Sequence, residues 1–151
     1  MIKFPTKESI EQSTWTCDHY IDLNATSEDI WPWLAQMGNG RAGWYSYDWI
    51  DNLGKKSLLT INPKFVQIQK GQSIPFFIIE DFLANEFITF KFGSDITVTY
   101  LLQRLDNKTR LWTRLKVPKA SWILKKTLGP AHKIMQDKQF LEIKKRVEKI
   151  L

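Results

Sequence analysis

The sequence predicts an α+β fold: a curved antiparallel β-sheet wrapped around a long C-terminal helix, with two short helices after the first strand. Three observations predict it. Trp15, Cys17, His19, Ile21 and Leu23 alternate strictly with polar or aromatic-polar neighbours, the period of a half-buried strand. Segments rich in β-formers follow in quick succession between Ser73 and Val117. Near the C-terminus Phe140, Ile143, Val147 and Ile150 recur at the spacing of one helical face, with Lys138, Lys145 and Lys149 opposite.

After the first strand, Thr26 is placed as an N-cap and Asp29 closes a capping-box-like pair. The helix they open is expected over Ser27–Met37, with Ile30, Trp33, Leu34 and Met37 on one face and Gly38 as its stop. Pro32 inside it costs a backbone hydrogen bond or bends it. A second short helix fits Tyr47–Leu53, ended by Gly54. Residues 55–71 read as mostly irregular, punctuated by Pro63 and Gly71. Strands are expected over Ser73–Ile79, Glu86–Phe92 and Asp95–Leu105; Asp106-Asn107-Lys108 then turns the chain into a hairpin with Thr109–Val117. In that last strand Leu111, Thr113, Leu115 and Val117 face inward, and Arg110, Trp112 and Arg114 face outward. The long helix is expected to begin at Gly129-Pro130, with Pro130 in its first turn and His132 solvent-exposed.

At 151 residues the chain suits one domain with a full core, residues 1–12 forming a loosely ordered lead. Its 43% hydrophobic and 25% charged composition is that of a soluble globular protein. The longest apolar runs fall short of the roughly 18 residues a membrane span needs. Met1 to Glu8 contains no apolar signal core, and Cys17 is the single cysteine, so a cytoplasmic, reducing compartment is expected. A lone cysteine excludes both an internal disulfide and a cysteine-based zinc site. Two His far apart in sequence, without a carboxylate at ligand spacing, argue the same way, so neither metal nor cofactor is expected.

The net charge of +6 is unevenly spread. Residues 1–115 carry 12 Lys/Arg against 13 Asp/Glu; residues 116–151 carry 10 against 3. The basic C-terminal helix is therefore either a solvated face or a weak contact for an anionic membrane surface. Nucleic acid is not an expected partner, because the aromatics are not interleaved with these lysines.

The segment from Trp31 to Gly54 holds four of the seven Trp and two of the four Tyr, with Arg41 set between Gly40 and Gly43. Ile30-Trp31-Pro32-Trp33-Leu34-Ala35-Gln36-Met37-Gly38 and Arg41-Ala42-Gly43-Trp44-Tyr45-Ser46-Tyr47-Asp48-Trp49-Ile50-Asp51-Asn52-Leu53 resemble a bacterial branch of the START-like, or SRPBCC, superfamily of polyketide cyclase-like proteins. Ile61-Asn62-Pro63, Lys70-Gly71-Gln72, Ile74-Pro75 and Thr109–Arg114 continue the pattern. The resemblance implies a helix-grip fold with an apolar cavity between sheet and C-terminal helix. It also implies a small hydrophobic or amphipathic ligand (lipid, aromatic or polyketide), or cyclase and dehydratase chemistry in the same cavity.

Candidate ligand-binding residues are Trp33, Met37, Arg41, Trp44, Tyr45, Trp49 and His19. Arg41 either grips a ligand carboxylate or phosphate, or braces its own loop through Asp48 or backbone carbonyls. The aromatics either stack on a flat ligand or pack the short helices against the sheet. His19 and Asp48 are the candidate proton carriers. The competing readings are a satisfied core histidine, and an aspartate that caps the short helix or pairs with Arg41. Cys17 reads as a small buried hydrophobe, and no nucleophile is identified. Proton transfer by His19 or Asp48 requires that one of them reach the cavity with a polar atom unsatisfied by protein. Oligomeric state is not legible.

Overall fold

The computed structural model describes residues 3–5 and 15–149. The element order is β1 (Trp15–Leu23), α1 (Ser27–Ala35), α2 (Asp48–Asp51), α3 (Pro63–Val66), β2 (Ser73–Ile74), β3 (Phe77–Leu83), β4 (Phe87–Phe92), β5 (Ile96–Arg104), β6 (Thr109–Val117) and α4 (Trp122–Val147). Six strands form one antiparallel sheet in the order β1-β6-β5-β4-β3-β2. Strands β2 to β6 are a meander of sequence neighbours. β1 closes the sheet by pairing along β6 from Trp15 opposite Val117 to Leu23 opposite Thr109. A bulge between Ile79 and Asp81 bends β3.

Side-chain alternation sets the two faces. Along β6 every odd residue from Thr109 to Val117 is buried. The outward Arg110 and Arg114 form bidentate pairs with Asp22 and Asp18 on β1. The inner face of the sheet meets α1 and the C-terminal half of α4, which contributes the buried Gln136, Gln139, Phe140 and Ile143. Leu23, Ile30, Leu34, Met37, Ile79, Ile88, Phe90 and Leu111 fill the core between them.

Thr26 caps α1 as expected. Its hydroxyl accepts from the Asp29 amide at 3.2 Å, and the Asp29 carboxylate accepts from the Thr26 amide at 3.2 Å. The helix stops at Ala35, two residues early, because Gly38 turns back to bridge Gly43. Pro32 lies one turn after Glu28, whose side of the helix is exposed, so water can serve the carbonyl that lacks an amide partner.

Two expectations need correction, and the mostly irregular 55–71 gains one helical turn. Ser73–Ile79 is not one strand: Pro75 lacks the amide a ladder needs, and Phe76 takes φ +70°, so the chain reverses between β2 and β3. The stretch 55–71 contains a single helical turn, α3, opened by Asn62, whose side chain accepts from the Lys64 amide at 3.1 Å. The long helix begins eight residues before Pro130: Ser121 caps it by accepting from the Leu124 amide, and Pro130 lies within it. Two further expectations, the 1–12 lead and Ile150 on the helical face, fall at 1–2, 6–12 and 150 outside the described residues. Among the described residues no helix is long and apolar enough to cross a membrane.

Candidate functional site

Where β3 to β5 curl away from α4, they leave a pocket of about 410 Å³. Its sheet wall is Phe77, Phe92, Val98 and Tyr100. α4 supplies His132, Met135, Gln136 and Gln139, and the glycine-rich turn supplies Asn39, Trp44 and Ser46. Ile50, Asp51 and Leu53 around α2, with Phe76 from the β2–β3 turn, form the rim. Four rim and wall residues stay conspicuously exposed for apolar groups: Leu53, Phe76, Ile50 and Phe92. Two other concavities, of about 490 and 620 Å³, are walled mainly by charged and polar surface residues and have no comparable apolar lining.

Most polar groups of the pocket are already occupied. Gln139 accepts from Tyr100 Oη at 2.9 Å and from Gln136 Nε2 at 2.8 Å, and it donates to the Trp44 carbonyl at 2.7 Å. Asn39 accepts from Trp44 Nε1 at 2.7 Å and donates to the Asp51 carbonyl at 2.5 Å. Ser46 donates to the Met135 carbonyl at 3.0 Å. Two buried lining atoms have no hydrogen-bond partner: Asp51 Oδ1 and His132 Nδ1.

Burial, with the Asp48 carboxylate adding to it, raises the Asp51 carboxyl to about 6; backbone and Ser46 hydrogen bonds offset only part of this. The folded state therefore holds a proton that the unfolded chain releases at lower pH. The stability associated with that proton is complete below about 4 and is lost as pH rises to about 6. Asp51→Asn should remove this fall and stabilise the protein at neutral pH by about 1–2 kcal/mol, discounted for partial solvent screening. Urea unfolding of both proteins between pH 4 and 7 measures it; parallel profiles would rule out a protonated Asp51.

Of the seven candidate ligand-binding residues, Trp44 alone lines this pocket. Trp33 and Met37 are core residues. Tyr45 is buried at φ +58°; its hydroxyl accepts from Gln36 Nε2 at 2.8 Å and donates to the Trp33 carbonyl at 3.1 Å. The Arg146 guanidinium lies 4.7 Å from the centre of its ring. Trp49 projects to the surface, 76% exposed. Arg41 braces: it donates to the carbonyls of Ala35 at 2.9 Å, Met37 at 3.1 Å and Phe65. Asp48 does not partner it. The two Asp48 oxygens accept from the Ser57 amide at 2.9 Å and the Ser57 hydroxyl at 2.5 Å. Asp48 thus clasps the loop after α2.

His19 faces inward on β1, as its alternation predicts, but not into the pocket. Its Nε2 lies 3.2 Å from Cys17 Sγ, and its ring stacks on His132 at a centroid distance of 5.5 Å. The expectation of an exposed His132 is therefore wrong. The earlier start of α4 and the approach of Gly129 to Trp15 carry this helix across β1, so that His132 is half-buried and lies against His19. Burial, then His19, lowers His132 to about 4. Burial also lowers His19 and raises the Cys17 thiol. The sequence separation that argued against a metal site is erased by the fold: one ligand atom each of Cys17, His19 and His132 falls within 4.8 Å of the others.

No family model matches the chain, and no curated protein matches it by sequence. Solved structures do. A protein from Mesorhizobium loti aligns with a TM-score of 0.58 at 12% identity, over 91% of this chain and 99% of that one. The Aha1 dimer protein from Colwellia psychrerythraea aligns at 0.52 and 15% identity, over 89% and 96%. DynU16, from the dynemicin biosynthetic locus, aligns at 0.52 and 13% identity, over 84% of this chain and 47% of that one. The chain has the helix-grip fold. The pocket lies between sheet and long helix, and residues 39–53 of the aromatic segment form one of its sides. The sequence candidates do not include Asp51, Tyr100, Gln139 or the phenylalanines of β3 and β4, and they leave His132 in solvent. These pocket residues come from separate elements, and no local spacing links them. The available signal was Asp51 itself, an acid between Ile50 and Leu53 on a short amphipathic turn.

Proposed function

We propose that the chain binds a small, largely apolar molecule carrying one hydrogen-bond donor, in the pocket between β3–β5 and α4. The carrying observation is the wall: aromatic and aliphatic on nearly every side, with Asp51 Oδ1 as a buried polar atom that has no hydrogen-bond partner. About 410 Å³ falls within the usual range for small-molecule pockets. Burial of apolar ligand surface, at about 25 cal/mol per Å², supplies the driving force, and Asp51 sets orientation. Trp44, Phe77 and Phe92 present flat faces, which suits ring systems better than an acyl chain.

The neutral, amine-bearing fluorophore N-phenylnaphthylamine is a suitable probe. It should brighten and saturate with the wild-type protein. Met135→Trp, which fills the pocket from α4, should weaken it at least about tenfold, or roughly 1.4 kcal/mol. Equal binding by the two folded proteins would sink the assignment. Chemistry by His19 or Asp48 finds no support in this geometry, because neither lines the pocket and Asp48 is occupied by Ser57.

A second reading concerns delivery from an anionic lipid surface. It rests on Trp122, Ile123 and Leu124, exposed at the start of α4 beside Lys125 and Lys126. Farther along the helix Lys138, Lys144, Lys145 and Arg146 are already ion-paired with Glu142 or Glu148, so the basic end that can meet lipid is this first turn. Flotation with phosphatidylserine vesicles should exceed flotation with phosphatidylcholine and fall in Trp122→Ala. Indifference to lipid charge and salt would dispose of it.

A further inference from the structure

We propose that Cys17, His19 and His132 form a binding site for a soft divalent cation of the zinc type. The three side chains come from two elements that the fold brings together. Cys17 and His19 are two residues apart on β1 and share its inward face. His132 reaches them from α4, whose close approach is allowed by Gly129 lying against the Trp15 ring. A thiolate and two imidazoles are the donors that zinc favours over calcium or magnesium.

The separations are near those required. Ligand atoms around tetrahedral zinc stand roughly 3.3–3.6 Å apart, from bond lengths of about 2.0–2.3 Å. Cys17 Sγ and His19 Nε2 are already 3.2 Å apart. All three ligand atoms lie within 4.8 Å of one another, so turning the His132 ring is the main adjustment.

Two orphaned polar atoms support a missing occupant. His132 Nδ1 is buried without a hydrogen-bond partner, an arrangement that is unfavourable unless something binds there. Thr113 stands directly opposite His19 in the β1–β6 register and faces the same side; its hydroxyl is also buried without a partner. A water carried by the cation would give that hydroxyl a partner. With three protein ligands, the site keeps a coordination position for water or another small donor, the pattern of non-structural zinc sites. Since His132 also lines the apolar pocket, the cation would stand in the wall of that pocket.

The test uses the full chain, stripped with chelator and titrated with Co²⁺ as a spectroscopic stand-in for zinc. One equivalent should produce a thiolate-to-cobalt charge-transfer band together with intense visible bands of low coordination number, and Zn²⁺ should bleach both. Cys17→Ser should abolish the charge-transfer band. His132→Gln and His19→Gln, each checked for folding by circular dichroism, should weaken Zn²⁺ binding by at least about 100-fold, beyond the 10–100-fold typical of losing an outer-sphere partner. No thiolate band at one equivalent, or a band that survives Cys17→Ser, would overturn the proposal. So would Zn²⁺ affinity unchanged in both folded histidine variants.

Discussion

Arg41→Ala should destabilise the protein by about 3–4 kcal/mol, measured by urea unfolding. The guanidinium is a three-way clamp. Its donors reach the carbonyls of Ala35, the last residue of α1, of Met37 just beyond it, and of Phe65 in α3. A hydrogen bond to a charged group contributes about 1.5–3 kcal/mol, and truncation leaves three carbonyls to find water in a partly buried place. Burial lowers the Arg41 pKa from its ordinary value, yet the group stays charged at any working pH. Arg41→Lys should recover less than half of the loss, because an ammonium cannot span carbonyls that the planar fork spans. A loss below about 1 kcal/mol for Arg41→Ala would refute the clamp and return Arg41 to the list of candidate ligand contacts.

Gly43→Ala should cost about 3 kcal/mol, while Gly54→Ala should cost about 1 kcal/mol. Both glycines have positive φ, +82° and +79°. An L-residue in that region costs about 1–2 kcal/mol whatever surrounds it. Only Gly43 is also crowded: a Cβ there would collide with Ser57 Oγ and approach Asn52 Nδ2 to 2.8 Å, whereas nothing lies within 4 Å at Gly54. Ser57 cannot give way cheaply. Its hydroxyl accepts from the Tyr45 amide at 3.1 Å and donates to Asp48 at 2.5 Å. The difference between the two variants in thermal unfolding isolates the packing contribution, on the order of 1–3 kcal/mol for overpacking. Equal losses would mean that the Ser57 clasp is soft.

The parts of the fold legible in the sequence are those whose signals are local and periodic. β1 and β6 match at both ends, because strict alternation writes the buried face into every second residue. The Thr26–Asp29 box is a four-residue signal and holds as read. Punctuation misled where tertiary packing overrides it. Gly129-Pro130 looks like a helix start, but Ser121 provides an earlier cap, and one proline is tolerated where that turn is mostly solvent-facing. That error hid His132, whose burial depends on the helix phase and on its approach to β1. For Arg41 the backbone-bracing alternative is what its hydrogen bonds show, whereas Asp48 neither caps α2 nor pairs with Arg41: it holds Ser57, a partner that the sequence does not mark. The pocket was the least legible feature. Its aromatic wall comes from β3, β4 and β5, and the conspicuous Trp-rich segment contributes chiefly core.

The pairing of β1 with β6 has a consequence for how the molecule assembles. Every other strand pairs with its neighbour in sequence, through connections of a few residues. β1 must instead close a loop from Leu23 to Thr109 before any of its ladder forms. Loop-closure entropy makes this the slowest sheet contact to gain, so β2–β6 can form as a local unit to which β1 is added. Cys17 and His19 ride on β1 and meet His132 only once that strand has docked. A cation held by all three would bind the finished topology and not the half-assembled one, and would act as a latch on the last strand to arrive.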